Sequence, residues 1–209
     1  MTTNRKHLVR RLLEGKANVV RILEDGDFVF THAEYEFQER YAGFEVFRFE
    51  GEQIVEHWDN MQPLQGPNPS GHAMLDGHST LLELEKTESN RDIVQSFVED
   101  VLIRRRGEKL YDYIKWNHFI EHNPRGNDDL DALIAIVAPP AGSDADAISY
   151  EKCRLVLAEG NFVLSVCEGR VNEVPASFYD LWCLEHDYIV EHWDTTVPRV
   201  APSRDALEG

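Results

Sequence analysis

The chain has 209 residues, with 38 acidic side chains against 21 basic ones and a formal charge of −17. That balance repels a phosphate backbone and argues against nucleic acid as a partner. No apolar run approaches the ~18–20 residues of a membrane span, and no apolar stretch follows the charged start as a secretory leader requires. The cysteines Cys153, Cys167 and Cys183 are few and odd in number, so free thiols in a reducing cytoplasm are expected.

Residues 5–14 read as a short helix with Leu8, Leu12 and Leu13 on one side, closed by Gly15. Four strands rich in Val, Ile, Phe and Tyr follow, over 17–23, 28–37, 43–49 and 53–60. Short turns separate them, which implies an antiparallel meander. Residues 61–86 hold Gly66-Pro67-Asn68-Pro69-Ser70-Gly71 and Asp76-Gly77 and read as a linker. A helix starts near Thr87–Asn90 and carries Ile93, Val94, Phe97, Val98, Val101 and Leu102 as one apolar stripe. Arg104-Arg105-Arg106 lies at its end, where cations favour the helix dipole and need no ligand. A second helical piece holds Leu110 to Ile114. Residues 116–123 are expected to be extended and stopped by Pro124. Residues 128–137 form a third helix ended by Pro139-Pro140, and 141–147 a polar loop. Four more strands run over 150–157, 162–168, 176–184 and 188–195.

The hexapeptide Ile54-Val55-Glu56-His57-Trp58-Asp59 recurs unchanged as Ile189-Val190-Glu191-His192-Trp193-Asp194. Residues 43–60 lie over 178–195 without a gap, and Gly26-x-Phe28-Val29 lies over Gly160-x-Phe162-Val163. The expected organisation is a partial unit at 1–63, a linker at 64–87, a complete unit at 88–197 and a tail at 198–209. The partial unit has an apolar sheet face that needs a cover. Packing against the second sheet, or pairing of two chains, supplies it.

In the last hairpin His186-Asp187 form the turn. Strict alternation then pairs Glu185 with Tyr188, and it pairs Leu184 with Ile189, Trp182 with Glu191 and Asp180 with Trp193, these last six on one face. Tyr179, Leu181, Cys183, Val190, His192 and Asp194 fall on the other, unless a bulge turns Asp194 inward.

The order of helices, a short strand with Glu121-His122-Asn123-Pro124, a helix and a four-strand meander resembles the nuclear-transport-factor-2-like cone. Within it the chain is similar to SnoaL-like proteins of the polyketide-cyclase and aldol-condensation type. The resemblance rests on Glu121 to Pro124, Leu157 to Val163, Phe178 to Trp182 and Ile189 to Asp194. In the first unit Leu23 to Val29, Phe44 to Phe49 and Ile54 to Asp59 carry it. It implies an α+β fold with a curved antiparallel sheet packed with helices. It also implies acid–base chemistry on a small carbonyl compound, an aldol closure or an isomerisation, with no metal or cofactor. The alternative is a non-catalytic ligand-binding or dimerisation module of the same fold.

By the same resemblance, and by its likeness to ketosteroid isomerases, Asp180 points into the cone. Asp180, Asp194 and His192 are the candidate catalytic groups, with His122, Asn123, Trp182, Glu191 and Trp193 as pocket lining. Carboxylates beside indoles lose water, and at least one pKa should rise. The plainer reading is a salt bridge at a strand end with Trp182 and Trp193 as core. His118-Phe119-Ile120-Glu121-His122 formally matches a zinc-peptidase pattern, but that chemistry needs a helix, and the stretch reads as extended. In the first unit Glu45, Phe47, Glu56 and Trp58 stand at the pocket positions, and no His-Asn-Pro precedes them, so a working site is expected only in the second unit. His32 and Tyr35 there read as structural.

Overall fold

The computed structural model describes residues 4–115, 117–137 and 148–199. The expected helix stop at Pro139-Pro140, the loop at 141–147, residue 116 and the tail from 200 onward lie outside these.

Helix α1 spans Arg5–Leu13, and the Asn4 side chain accepts from the His7 amide as its N-cap. Val9 and Leu13 are its buried residues, while Leu12 is exposed, so the apolar stripe is turned from the one expected. Strands β1 (Ala17–Asp25), β2 (Phe28–Glu36), β3 (Arg40–Glu50) and β4 (Gln53–Pro63) form one antiparallel sheet in chain order. Its tightest turns use Gly26 and Gly51 at positive φ, a region that costs glycine little.

Helix α2 (Thr87–Phe97) buries Val94 and Phe97 and runs on into a π-helical turn at Val98–Ile103. Helix α3 is the short Leu110–Tyr113, and α4 is Leu130–Val137. Among the described residues of the expected extended stretch only Ile120–Glu121 form a strand, β5. Strands β6 (Ile148–Glu159), β7 (Phe162–Val171), β8 (Val174–Glu185) and β9 (Tyr188–Pro198) complete a second sheet of order β5-β9-β8-β7-β6. β5 joins β9 in parallel and the rest is antiparallel. The architecture is therefore α+β, as expected.

Two apolar layers hold the second sheet. On one face Val94, Phe97, Val101, Leu110 and Phe119 meet Val163, Phe178, Trp182, Leu184 and Ile189. On the other, Phe162, Leu164, Leu181 and Trp193 pack against Leu23, Phe30, Phe44 and Val46 of the first sheet. The two sheets thus lie back to back within one chain. Being covered on both sides, β8 is buried continuously from Phe178 to Leu184, which is why those residues are nearly all large and apolar. Each such side chain contributes about 1.5–3 kcal/mol on burial. A third cluster, Val9, Leu13, Val29, Phe47 and Phe49, seats α1 on the far face of the first sheet.

The segment between the sheets is firmly held. Asn68 donates to the Glu121 carbonyl at 2.6 Å, and the Leu82 amide donates to the Asn161 side chain at 2.7 Å. Arg104 and Arg106 of the basic cluster pair with Glu99 and Asp100, so their charge is answered locally. Among the described residues no helix is long and apolar enough to cross a membrane.

Candidate active site

The β8–β9 turn is where alternation fails. His186 and Asp187 both take positive φ, the geometry of a two-residue hairpin. Glu185 pairs with Tyr188 and Leu184 with Ile189, as expected. Val190 is then an extra residue. Cys183 pairs with Glu191, Trp182 with His192, Leu181 with Trp193 and Asp180 with Asp194. This bulge overturns the expected face: Glu191 and Trp193 do not share a side with Asp180 and Trp182, whereas His192 and Asp194 do. The first sheet has the same irregularity. Phe49 pairs with Ile54, Arg48 with Glu56, Phe47 with His57 and Glu45 with Asp59, leaving Val55 over.

On the helix-covered face side chains from four strands, β5, β6, β8 and β9, and from the loop after β5 converge. His192 Nε2 is 3.2 Å from Asp180 Oδ1, and its Nδ1 is 3.0 Å from both carboxylate oxygens of Glu121. The imidazole stacks on the Trp182 indole with centroids 3.9 Å apart. The Tyr150 hydroxyl donates to Asp180 Oδ1 at 3.0 Å, reaching in from β6. Asn123 donates to Asp194 Oδ1 at 2.8 Å, and Thr196 Oγ1 lies 3.3 Å from Oδ2. Asp180 is wholly buried, and its second oxygen, Oδ2, has no hydrogen-bond partner among the described residues.

The electrostatics follow from that crowding. Burial opposes a charge on His192, yet the carboxylates of Glu121 and Asp180 outweigh it and lift the imidazole well above its ordinary pKa. Burial lifts the Asp194 carboxyl from 3.8 to about 6, against the pull of His192. Burial, helped by Asp180 and Asp194, pushes Tyr150 far up, so it stays a proton donor. The set can therefore hold an imidazolium between two carboxylates beside a third carboxyl that exchanges its proton near neutrality.

Of the residues expected to line a pocket, Trp182 and Asn123 meet this network. His122, Glu191 and Trp193 form a different one, between the sheets. His122 Nε2 is 2.7 Å from Glu191 Oε1, its Nδ1 is 2.7 Å from the Ala73 carbonyl, and its ring stacks on Trp193 at 4.8 Å. His78 Nδ1 adds a 2.6 Å contact to Glu191 Oε2. Burial resists ionisation of Glu191, but the bonds from His122 and His78 win and hold it below its usual value. The Arg21 guanidinium lies 3.9 Å from the Trp193 ring and donates to the His78 and Asp76 carbonyls at 2.6 Å each. Burial lowers its pKa to about 10. This second network clamps the inter-sheet segment.

Glu121 and Tyr150 are the site members that the linear pattern did not offer. Glu121 ends β5 and His122 follows it, and the two side chains point to opposite faces, one to each network. His118 is exposed, so the zinc-type spacing brings no ligand set together. In the first sheet His57 Nε2 is 3.1 Å from Glu45 Oε2 and its ring stacks on Phe47 at 4.6 Å, a sparser arrangement of the kind that His192, Asp180 and Trp182 form.

No family model matches the chain, and no curated protein does. Among solved structures it is similar to a candidate ketosteroid isomerase from Kribbella flavida, with 13% identity, a TM-score of 0.44, and coverage of 59% of this chain and 90% of that one. It is also similar to a candidate polyketide cyclase from Acidithiobacillus ferrooxidans, with 14% identity, a TM-score of 0.40, and coverage of 51% and 87%.

Proposed function

We propose that the second unit is a SnoaL-like acid–base catalyst acting on a small carbonyl compound, by proton transfer at the carbon next to the carbonyl. The observation that carries this reading is the buried Asp180 carboxylate. One oxygen is held by His192 and Tyr150, and the other is unengaged among the described residues. In this role Asp180 Oδ2 takes the proton from carbon. Tyr150 and the His192 imidazolium hold the other oxygen and so orient Asp180. Asp194, titrating near 6, returns a proton to the developing enolate oxygen. Aldol closure and isomerisation share this first step. The reading includes His192 and Asp194 as catalytic groups and Asn123 and Trp182 as pocket residues.

The test is proton exchange at the α-carbon of a panel of small cyclic ketones in heavy water, followed by NMR. Exchange above background that falls at least ~100-fold in Asp180→Asn supports the assignment. Exchange equal in the wild type and Asp180→Asn overturns it.

The second reading is a non-catalytic ligand-binding or dimerisation module. The tight packing of Trp182 and Phe119 among Phe97, Leu110 and Leu184 favours it, because these side chains fill the face that a substrate must reach. On this reading the Asp180–His192–Glu121 chain is a buried salt bridge joining β5 to β8 and β9. No α-carbon exchange with any ketone, together with a several-degree fall in melting temperature in Asp180→Asn, is its signature.

A further inference from the structure

The same six residues stand in opposite surroundings. In β9, Ile189 to Asp194 are buried, while in β4, Ile54 to Asp59 are all exposed, Ile54 at 39%, Val55 at 40% and Trp58 at 38%. The difference lies partly at the outer edge. β9 has β8 on one side and a parallel segment on the other. There the Lys115 amide donates to the Ile189 carbonyl at 3.3 Å and the His122 amide to the His192 carbonyl at 2.9 Å, with Ile120 beside Glu191 and Glu121 beside His192. β4 has β3 on one side and, among the described residues, no strand on the other. Since the bulge and register match, the Ile54 and His57 carbonyls occupy the edge positions of Ile189 and His192.

The side chains repeat the comparison. His192 holds Asp180 with Nε2 and Glu121 with Nδ1. His57 holds Glu45 with Nε2, and its Nδ1 has no partner among the described residues. Its ring is half-exposed. Glu56, unlike Glu191, is engaged by Arg48, which stands where the second unit has Cys183. A histidine corresponding to His122 would there share Glu56 with Arg48. What is missing at β4 is an extended segment with an apolar residue followed by an acid.

We propose that the free edge of β4 docks an extended segment of a partner protein bearing an apolar–acidic pair. The segment adds in parallel to β4, as β5 does to β9, and sets its carboxylate on His57 Nδ1. Main-chain hydrogen bonds give the affinity, and the acid fixes register, because a one-residue slip turns it to the other face. An exposed strand edge with three half-exposed apolar side chains is otherwise an aggregation hazard, which a bound segment removes.

The test uses the full chain and a synthetic peptide with the sequence of residues 112–123, read by amide hydrogen exchange at 54–59. Saturable slowing at these amides is expected, with binding at least tenfold weaker for the peptide carrying the Glu121→Gln change or for the His57→Gln protein. No slowing at any soluble peptide concentration overturns the proposal. So does exchange of the peptide for the chain's own β5, seen as changes at β9 with β4 unaffected. Protection of β4 that depends on protein concentration without peptide assigns the edge to a second copy of the chain and also overturns it. None of these outcomes depends on catalysis by the second unit.

Discussion

Asp194→Asn offers the sharpest test of the site's electrostatics. The carboxyl is buried, and its pKa is lifted from 3.8 to about 6, so the fold prefers it protonated. A group raised in the folded state gives stability that is fully present below its unfolded pKa and is lost as pH rises through the folded one. In this window, from about pH 4 to pH 6, ionisation of Asp194 costs the protein about 3 kcal/mol in total. Asparagine keeps the shape, its oxygen still accepts from Asn123, and its amide reaches the Thr196 hydroxyl, but it carries no charge. The variant should therefore be more stable than the wild type by about 3 kcal/mol at pH 8, by about 1.5 kcal/mol at pH 5 and by almost nothing at pH 3.5. Urea denaturation at the three pH values, with equal slopes in both proteins, reads this directly. A difference that is flat with pH, or a variant less stable than the wild type at pH 8, refutes the account of a desolvated carboxyl. If Asp194 also delivers a proton, the stabilised variant loses α-carbon exchange, so stability and activity move in opposite directions.

Three further outcomes are expected. His192→Gln removes an imidazole whose charge is favoured by Glu121 and Asp180. Its pKa is raised, so the wild type's advantage should be largest below about pH 6.5 and shrink on titration to pH 10, measured by urea melts. Arg21→Met leaves the Asp76 and His78 carbonyls without their donor and lifts a cation off Trp193. It should cost about 3 kcal/mol, and a loss under about 0.5 kcal/mol in a urea melt would contradict the clamp. Gly77 has φ +84, and a Cβ there would overlap the Glu191 carboxylate. Gly77→Ala should cost at least about 2 kcal/mol and speed amide exchange at residues 75–78.

The strands and turns were legible because each carries β-branched and aromatic residues between punctuating glycines or charged turn pairs. The sheet-to-sheet contact was legible, as one of two possible covers, from the apolar face that the first four strands leave without helices. The face assignment was not. Val190 looks like any strand residue, and nothing in Ile-Val-Glu-His-Trp-Asp signals that two of its members oppose one on β8. One unpaired residue moved Glu191 and Trp193 to the inter-sheet side and brought His192 and Asp194 to Asp180. Tyr150 and Glu121 were hidden for another reason. They reach the site from β6 and β5, and contacts set by strand order leave no periodic trace in the chain. Arg21 lies within the expected strand 17–23 with nothing in the sequence to mark it; its burial and its carbonyl partners come from the packing of the inter-sheet segment.

The back-to-back sheets have one more consequence. Where two separate subunits meet through such a surface, their contact weakens on dilution, and every substitution occurs on both sides at once. Here both halves are on a single polypeptide, so their association is unimolecular and independent of protein concentration. Each half is also free to change alone: Arg48 and Cys183, or Glu45 and Asp180, differ at matched positions without disturbing the shared seam of Phe30, Phe44, Leu181 and Trp193. A joined pair of this kind can specialise one face for chemistry and the other for recognition, a division of labour closed to a symmetric dimer.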